Sequence, residues 1–164
     1  MTRSSSSRPE KSALEETACR GHALNALARR EHTRLELERK LGARGHTPAV
    51  IAATLDELER SGLIDSERFC ESFVRSRKNR GQGPARIRRE LAERGIEGHR
   101  ASAAVLHVDD DWVALARAVR RRKFGAEIPH DYKDRAKQMR FLQYRGFSSE
   151  QIRAALEPDP DRES

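Results

Sequence analysis

Leu41-Gly42-Ala43-Arg44-Gly45-His46, Leu91-Ala92-Glu93-Arg94-Gly95-Ile96 and Leu142-Gln143-Tyr144-Arg145-Gly146-Phe147 are three copies of one motif, Leu-x-x-Arg-Gly-x, set 50 and 51 residues apart. The echo runs on past each glycine, to Ile51, Ala101 and Ile152 six residues beyond it and to Leu55, Val105 and Leu156 ten residues beyond it. Self-similarity at a fixed period marks a repeat architecture. The motif also has a local physical meaning. With Gly45, Gly95 and Gly146 in the left-handed conformation just past a helix, the leucine falls at C3 and the residue after the glycine at C″, the two positions whose side chains meet in a Schellman cap. Each copy therefore reads as the end of one helix and the turn into the next. His46 makes the first copy the least apolar of the three.

Working outward, capping signals bound the remaining helices. Thr33 with Glu36 and Ser148 with Gln151 form capping boxes; Thr47-Pro48 and Pro84 start helices with proline at the first helical position. Leu63-Ile64-Asp65 is a short apolar link whose Asp65 caps the next helix, a stripe of Phe69, Cys70, Phe73 and Val74 running to about Asn79. Leu14, Ala18, Leu24, Leu27 and Ala28 support a helix or a broken pair between Ala13 and about Glu31, with Gly21 as the interruption. Asp109-Asp110-Asp111 precedes a helix from about Trp112 to Lys123; carboxylates at that place suit the helix dipole better than a metal. In the third copy Gln138 stands where Leu37 and Ile87 stand in the others, which predicts an apolar stripe shifted by one residue onto Met139.

No segment alternates with period two between hairpin turns. The expected fold is all-α: three tandem three-helix repeats in an elongated curved array, at 13–62, 63–107 and 108–157, with a disordered basic lead-in at 1–12 and a polar tail at 158–164.

The 164 residues carry 33 Lys+Arg against 26 Asp+Glu, a net charge of +7 that favours a polyanionic partner. Since 27 of the 33 are Arg, an arginine-rich codon bias is the alternative source of that charge. Cys19 and Cys70 lie far apart with no ligand spacing and read as buried apolar residues. No apolar run could span a membrane or serve as a leader, so a soluble, cytoplasmic protein is expected. The six histidines form no metal-binding pattern, Gly81-x-Gly83 is too short for a phosphate loop, and no nucleophile stands in a recognisable context. The expectation is no catalysis, no metal and no cofactor. What remains is a binding surface: Arg75, Arg77, Lys78, Arg80, Arg86, Arg88 and Arg89 around one helix junction, and Arg117, Arg120, Arg121, Arg122 and Lys123 on the corresponding helix of the third repeat. Basic groups at equivalent sites of successive repeats would suit a repetitive anion, whereas a solvated charged face is the plain alternative.

Ser61-Gly62-Leu63-Ile64-Asp65-Ser66-Glu67-Arg68-Phe69, then Arg80-Gly81-Gln82-Gly83-Pro84-Ala85-Arg86-Ile87-Arg88-Arg89-Glu90-Leu91, Arg94-Gly95-Ile96 and Arg140-Phe141-Leu142-x-x-Arg145-Gly146-Phe147-Ser148, resemble the RecX family over roughly residues 20 to 157. The resemblance implies a bacterial protein of three-helix repeats that lies in the groove of RecA filaments on single-stranded DNA and inhibits RecA's ATPase, strand-exchange and co-protease activities. It further implies a protein without chemistry of its own. A monomer is the expected state, with the dimer left open by the sequence, and single-stranded DNA is a candidate second contact. A winged-helix transcription regulator is the rival reading, because Thr47 to Ile64 imitates a recognition helix; that fold would require a β-hairpin next, where Ser66 to Asn79 reads as helix.

Overall fold

The computed structural model describes residues 7–106 and 111–158. Among them the chain forms nine helices: α1 (Ser7–Leu27), α2 (Arg34–Ala43), α3 (Pro48–Arg60), α4 (Ser66–Asn79), α5 (Pro84–Glu93), α6 (Gly98–Leu106), α7 (Trp112–Phe124), α8 (Tyr132–Arg145) and α9 (Ser149–Ala155). No strand occurs among the described residues, so the hairpin wing of the rival reading has no counterpart there.

The repeated motif is a Schellman cap in all three copies. Gly45, Gly95 and Gly146 have φ of 87°, 84° and 95°. The N–H of His46, Ile96 and Phe147 donates to the carbonyl of Leu41, Leu91 and Leu142 at 3.3, 3.1 and 3.2 Å, and each glycine N–H donates to the carbonyl three residues back. The three leucines are buried, as are Ile96 and Phe147, so the turn is held by apolar contact as well as by hydrogen bonds. The echo residues Ile51, Ala101, Ile152, Leu55, Val105 and Leu156 are all buried. Both capping boxes form, with Thr33 Oγ1 accepting from the Glu36 N–H at 3.1 Å and Ser148 Oγ from the Gln151 N–H at 3.2 Å. Asp65 Oδ1 accepts from the N–H of Glu67 and Arg68, capping α4.

The chain divides into two compact units, Met1–Phe69 and Cys70–Ser164. In the first, α1, α2 and α3 pack pairwise around Cys19, Ala23, Leu37, Leu41, Leu55 and Leu58. In the second, α5 packs on α6, and α7, α8 and α9 pack pairwise over Ala116, Val119, Leu142, Phe147, Ile152 and Leu156. The second unit joins parts of two repeats backbone to backbone. The Gly83 N–H donates to Arg145 O at 2.8 Å, the Ala85 N–H to Gly146 O at 3.0 Å, and Arg145 Nη1 to Arg80 O at 2.9 Å. Thus the last carbonyls of α8 satisfy the first N–H groups of α5, which has no side-chain cap of its own. A Cβ on Gly83 would fall onto the Gly146 backbone, which is why this junction requires glycine.

Several expectations need correction. Residues 7–12 are the first turns of α1, not a disordered lead-in; Pro9 is tolerated in a first turn, where its missing N–H has no helical partner to lose, and Glu10 suits the dipole there. Residues 1–6, Asp109, Asp110, the helix end expected at His107 and the tail from 159 on lie outside the described residues. Gly21 does not interrupt α1, because burial of Cys19 and Ala23 on either side of it outweighs its low helix propensity. Leu14, by contrast, is 71% exposed. In the third repeat the stripe is not shifted: Gln138 is buried and Met139 is 45% exposed. The polar Gln138 keeps the core position because it has partners, its Nε2 donating to Asp134 Oδ2 at 3.1 Å and its Oε1 accepting from Arg120.

Candidate functional site

The basic residues singled out by sequence are sorted by the fold into surface and scaffold. Arg75, Arg80, Arg88, Arg89, Arg122 and Lys123 are exposed, Arg77, Lys78, Arg86, Arg117 and Arg121 are half-buried, and Arg120 is only 2% exposed. Arg120 therefore cannot belong to a binding surface. Helix period places it beside Ala116 and Val119, and its guanidinium donates to Glu127 O, Ala126 O and Gln138 Oε1 at 2.9, 3.2 and 3.3 Å, clamping the α7–α8 loop. Arg117 is also turned inward in part, with Nη2 donating to Ala154 O in α9 at 3.2 Å.

Of the rest, Arg77, Arg80, Arg86, Arg89, Arg122 and Lys123 converge on the loop between α4 and α5, whereas Arg75, Lys78, Arg88 and Arg121 line neither of the two clefts there. On one side a cleft of about 440 Å³ is lined by Arg77, Arg80, Gln82, Arg86, Arg89, Glu90, Glu93 and Arg94. Glu90 organises it, accepting from Arg77 Nε at 2.6 Å and from Arg86 Nε at 3.1 Å. Burial alone would raise the Glu90 carboxyl, but the hydrogen bonds from Arg77 and Arg86 outweigh it and hold the group below the ordinary carboxylate range. Arg77 and Arg94 both stack on Phe73, at 4.2 and 4.7 Å from the ring centre, and Arg94 Nη1 donates to Glu90 O at 2.8 Å. On the other side a smaller cleft, about 190 Å³, is lined by Arg80, Gly81, Val119, Arg122, Lys123, Phe141 and Arg145. Arg80 borders both clefts, so the α4–α5 junction and the end of α7 contribute to one basic surface. Among the described residues Arg75, Arg80, Arg88, Arg122 and Lys123 make no ion pair, which leaves their charge available. Lys78 lies 5.2 Å from the Trp112 ring centre, and burial lowers its pKa.

Arg94 and Arg145 belong to this surface although sequence reasoning did not select them. The signal was present: each is the arginine of the Leu-x-x-Arg-Gly motif, read there only for its backbone. Among the described residues no group of three or more His, Cys, Asp and Glu is placed to hold a metal, and no helix is long and apolar enough to cross a membrane.

Fold and surface together define an all-α repeat protein that presents ordered arginines around the loop between α4 and α5. Family models for the first, second and third three-helix domains of RecX match residues 19–58, 65–105 and 109–156. The regulatory protein RecX of Halorhodospira halophila is 50% identical over 138 residues, 84% of this chain and 86% of that protein. That of Pseudomonas entomophila is 47% identical over 135 residues, 82% of this chain and 87% of that protein. The crystal structure of RecX from Lactobacillus salivarius superposes with a TM-score of 0.74 at 25% identity, covering 88% of this chain and 96% of that one. A second RecX crystal structure gives 0.77 at 20% identity over 93% and 78%. The chain belongs to the RecX family, whose curated members are named as regulatory proteins.

Proposed function

We propose that this protein is a non-enzymatic negative regulator of the RecA recombinase, acting in the cytoplasm as a monomer that binds the RecA filament on single-stranded DNA. By occupying the filament it suppresses the conformational cycle on which ATP hydrolysis, strand exchange and co-protease activity depend. Membership of the RecX family supports the regulatory role, and the observation that carries the binding mode is the basic surface around Arg80. There Arg77, Arg86 and Arg94 are pre-ordered by Glu90 and Phe73, while Arg80 and Arg89 line the same cleft. Pre-ordering matters because long side chains lose rotamer freedom on binding, and those already fixed lose less. In this reading the three repeats act as successive contact modules along the filament.

Charge reversal at the exposed positions, R80E/R89E/R122E, tests the surface without touching the core. The variant is expected to bind RecA-coated oligonucleotide at least tenfold more weakly than wild type, with a flatter dependence on salt. Wild-type binding by the variant would remove this surface from the mechanism.

A further inference from the structure

We propose that the cleft between α1 and α2 of the first unit, walled by His22, Arg29, Lys40 and Arg44, is a phosphodiester-binding site. It is independent of the RecA reading and does not involve the residues of the second unit.

Ion pairing in this unit is uneven. Arg20 pairs with Glu57, Arg30 with Glu36, Arg34 with Glu38, Asp56 and Glu59, and Arg68 with Glu31. Arg29, Lys40 and Arg44 have no carboxylate partner among the described residues, and all three line one cleft of about 600 Å³ whose wall contains no acidic side chain. Lys40, in the last turn of α2, and Arg44, its C-cap residue, stand four positions apart, a like-charge spacing that isolated helices disfavour. A bound anion would relieve that repulsion. The floor, Ala26, Leu37 and Leu41, is already buried. It therefore leaves little apolar surface for the anchors on which peptide recognition relies. Recognition here would rest on charge, which suits a strand of regularly spaced phosphates.

His22 gives the site a titratable element. Its Nδ1 lies 2.8 Å from His46 Nε2, so one ring donates to the other and the pair can take up one further proton without breaking the bond. The groups around it are Arg44, Lys40 and Arg29, then His32, whose Nε2 is 3.4 Å from Lys40 Nζ, and Glu15, whose Oε1 accepts from the Thr47 N–H. Burial, then Arg44, then His46 hold the His22 pKa below the ordinary imidazole value. An anion in the cleft offsets Arg44 and makes protonation easier, so binding takes up a proton. A phosphodiester does not itself titrate near neutrality, so any pH dependence reports the protein.

The test is a titration of the His22 ring by NMR in the full-length protein, with and without oligothymidylate. The His22 midpoint is expected to rise when the strand is added, and affinity to be several-fold greater near pH 6 than near pH 7.5. R29Q/K40Q/R44Q, all exposed substitutions, is expected to abolish the rise and to lower the salt slope of binding by about 2, at ~0.7 per phosphate contact. An unmoved midpoint together with an unchanged salt slope in the triple variant would overturn the site. A midpoint that responds to poly-glutamate and not to the strand would make the cleft a protein-docking surface. Thymidine monophosphate binding as tightly as the strand would make it a small-ligand site instead.

Discussion

Arg120 is a buried cation whose described hydrogen-bond partners are all neutral: two loop carbonyls and Gln138 Oε1, with Asp134 reached only through Gln138. Burial, then Arg121, lowers its pKa from the usual guanidinium value, the cost of that placement. Removing it strands Gln138 and opens a cavity, so R120A is expected to lose about 3 kcal/mol in urea unfolding, while R120M/Q138L, which keeps volume and strands no glutamine but still lacks the donor to the loop carbonyls, recovers part of it. Equal losses in the two variants would show that the stranded Gln138 and the cavity contribute nothing; full recovery in R120M/Q138L would contradict the clamp on the loop. The run Arg120-Arg121-Arg122-Lys123 concealed this role, because four adjacent cations read as surface, whereas the helical period through Ala116 and Val119 marks the first of them as inward. Gln138 was hidden in the same way: its composition suggested a shifted stripe, and only its partner on another helix explains why a polar side chain holds a core position. Gly146 shows a second kind of non-local constraint. A Cβ there would meet the backbone of Arg86, whereas one on Gly45 would meet nothing, although both residues have positive φ. G45A should therefore cost about 1 kcal/mol and G146A at least twice that in the same unfolding measurement.

The ends of most helices were legible because capping is local chemistry. Three Schellman caps, two capping boxes and prolines at first helical positions each lie within a few residues, and the corresponding helices begin and end where those signals place them. T33A removes one reciprocal cap and is expected to cost about 1 kcal/mol, measurable by thermal unfolding of the first unit. Not legible was the start of α1, where Ser and Arg composition suggested disorder, nor the capping of α5 by the carbonyls of α8, which joins residues some sixty positions apart in sequence. The α4–α5 junction also carries a pH signature. Glu90 is held below its ordinary pKa by Arg77 and Arg86, so its contribution is complete above the unfolded value near 4.3 and is lost as pH falls through the lower folded value. Wild type should lose stability on acidification below about pH 4.5, and E90Q should be less stable at neutral pH with a shallower acid limb. Parallel acid limbs in the two proteins would show that Glu90 is not coupled to the two arginines.

Taken as a molecule, the chain carries its repeat in plain view. The basic surface was only half visible: the clusters at 75–89 and 117–123 were evident as composition, but their convergence on Arg80 depends on the packing of α7 and α8 against the α4–α5 loop. Arg145 joins the surface for the same reason, and Arg94 joins it through its contacts with Phe73 and Glu90. A protein working through such a surface acts by occupancy, and one that binds along a filament can silence more protomers than it contacts. The most direct measurement is RecA's single-stranded-DNA-dependent ATP hydrolysis with this protein added well below one copy per RecA protomer. The account predicts suppression of hydrolysis at that ratio, weakened in R80E/R89E/R122E. Full hydrolysis in the presence of an equimolar amount of the wild-type protein would contradict it.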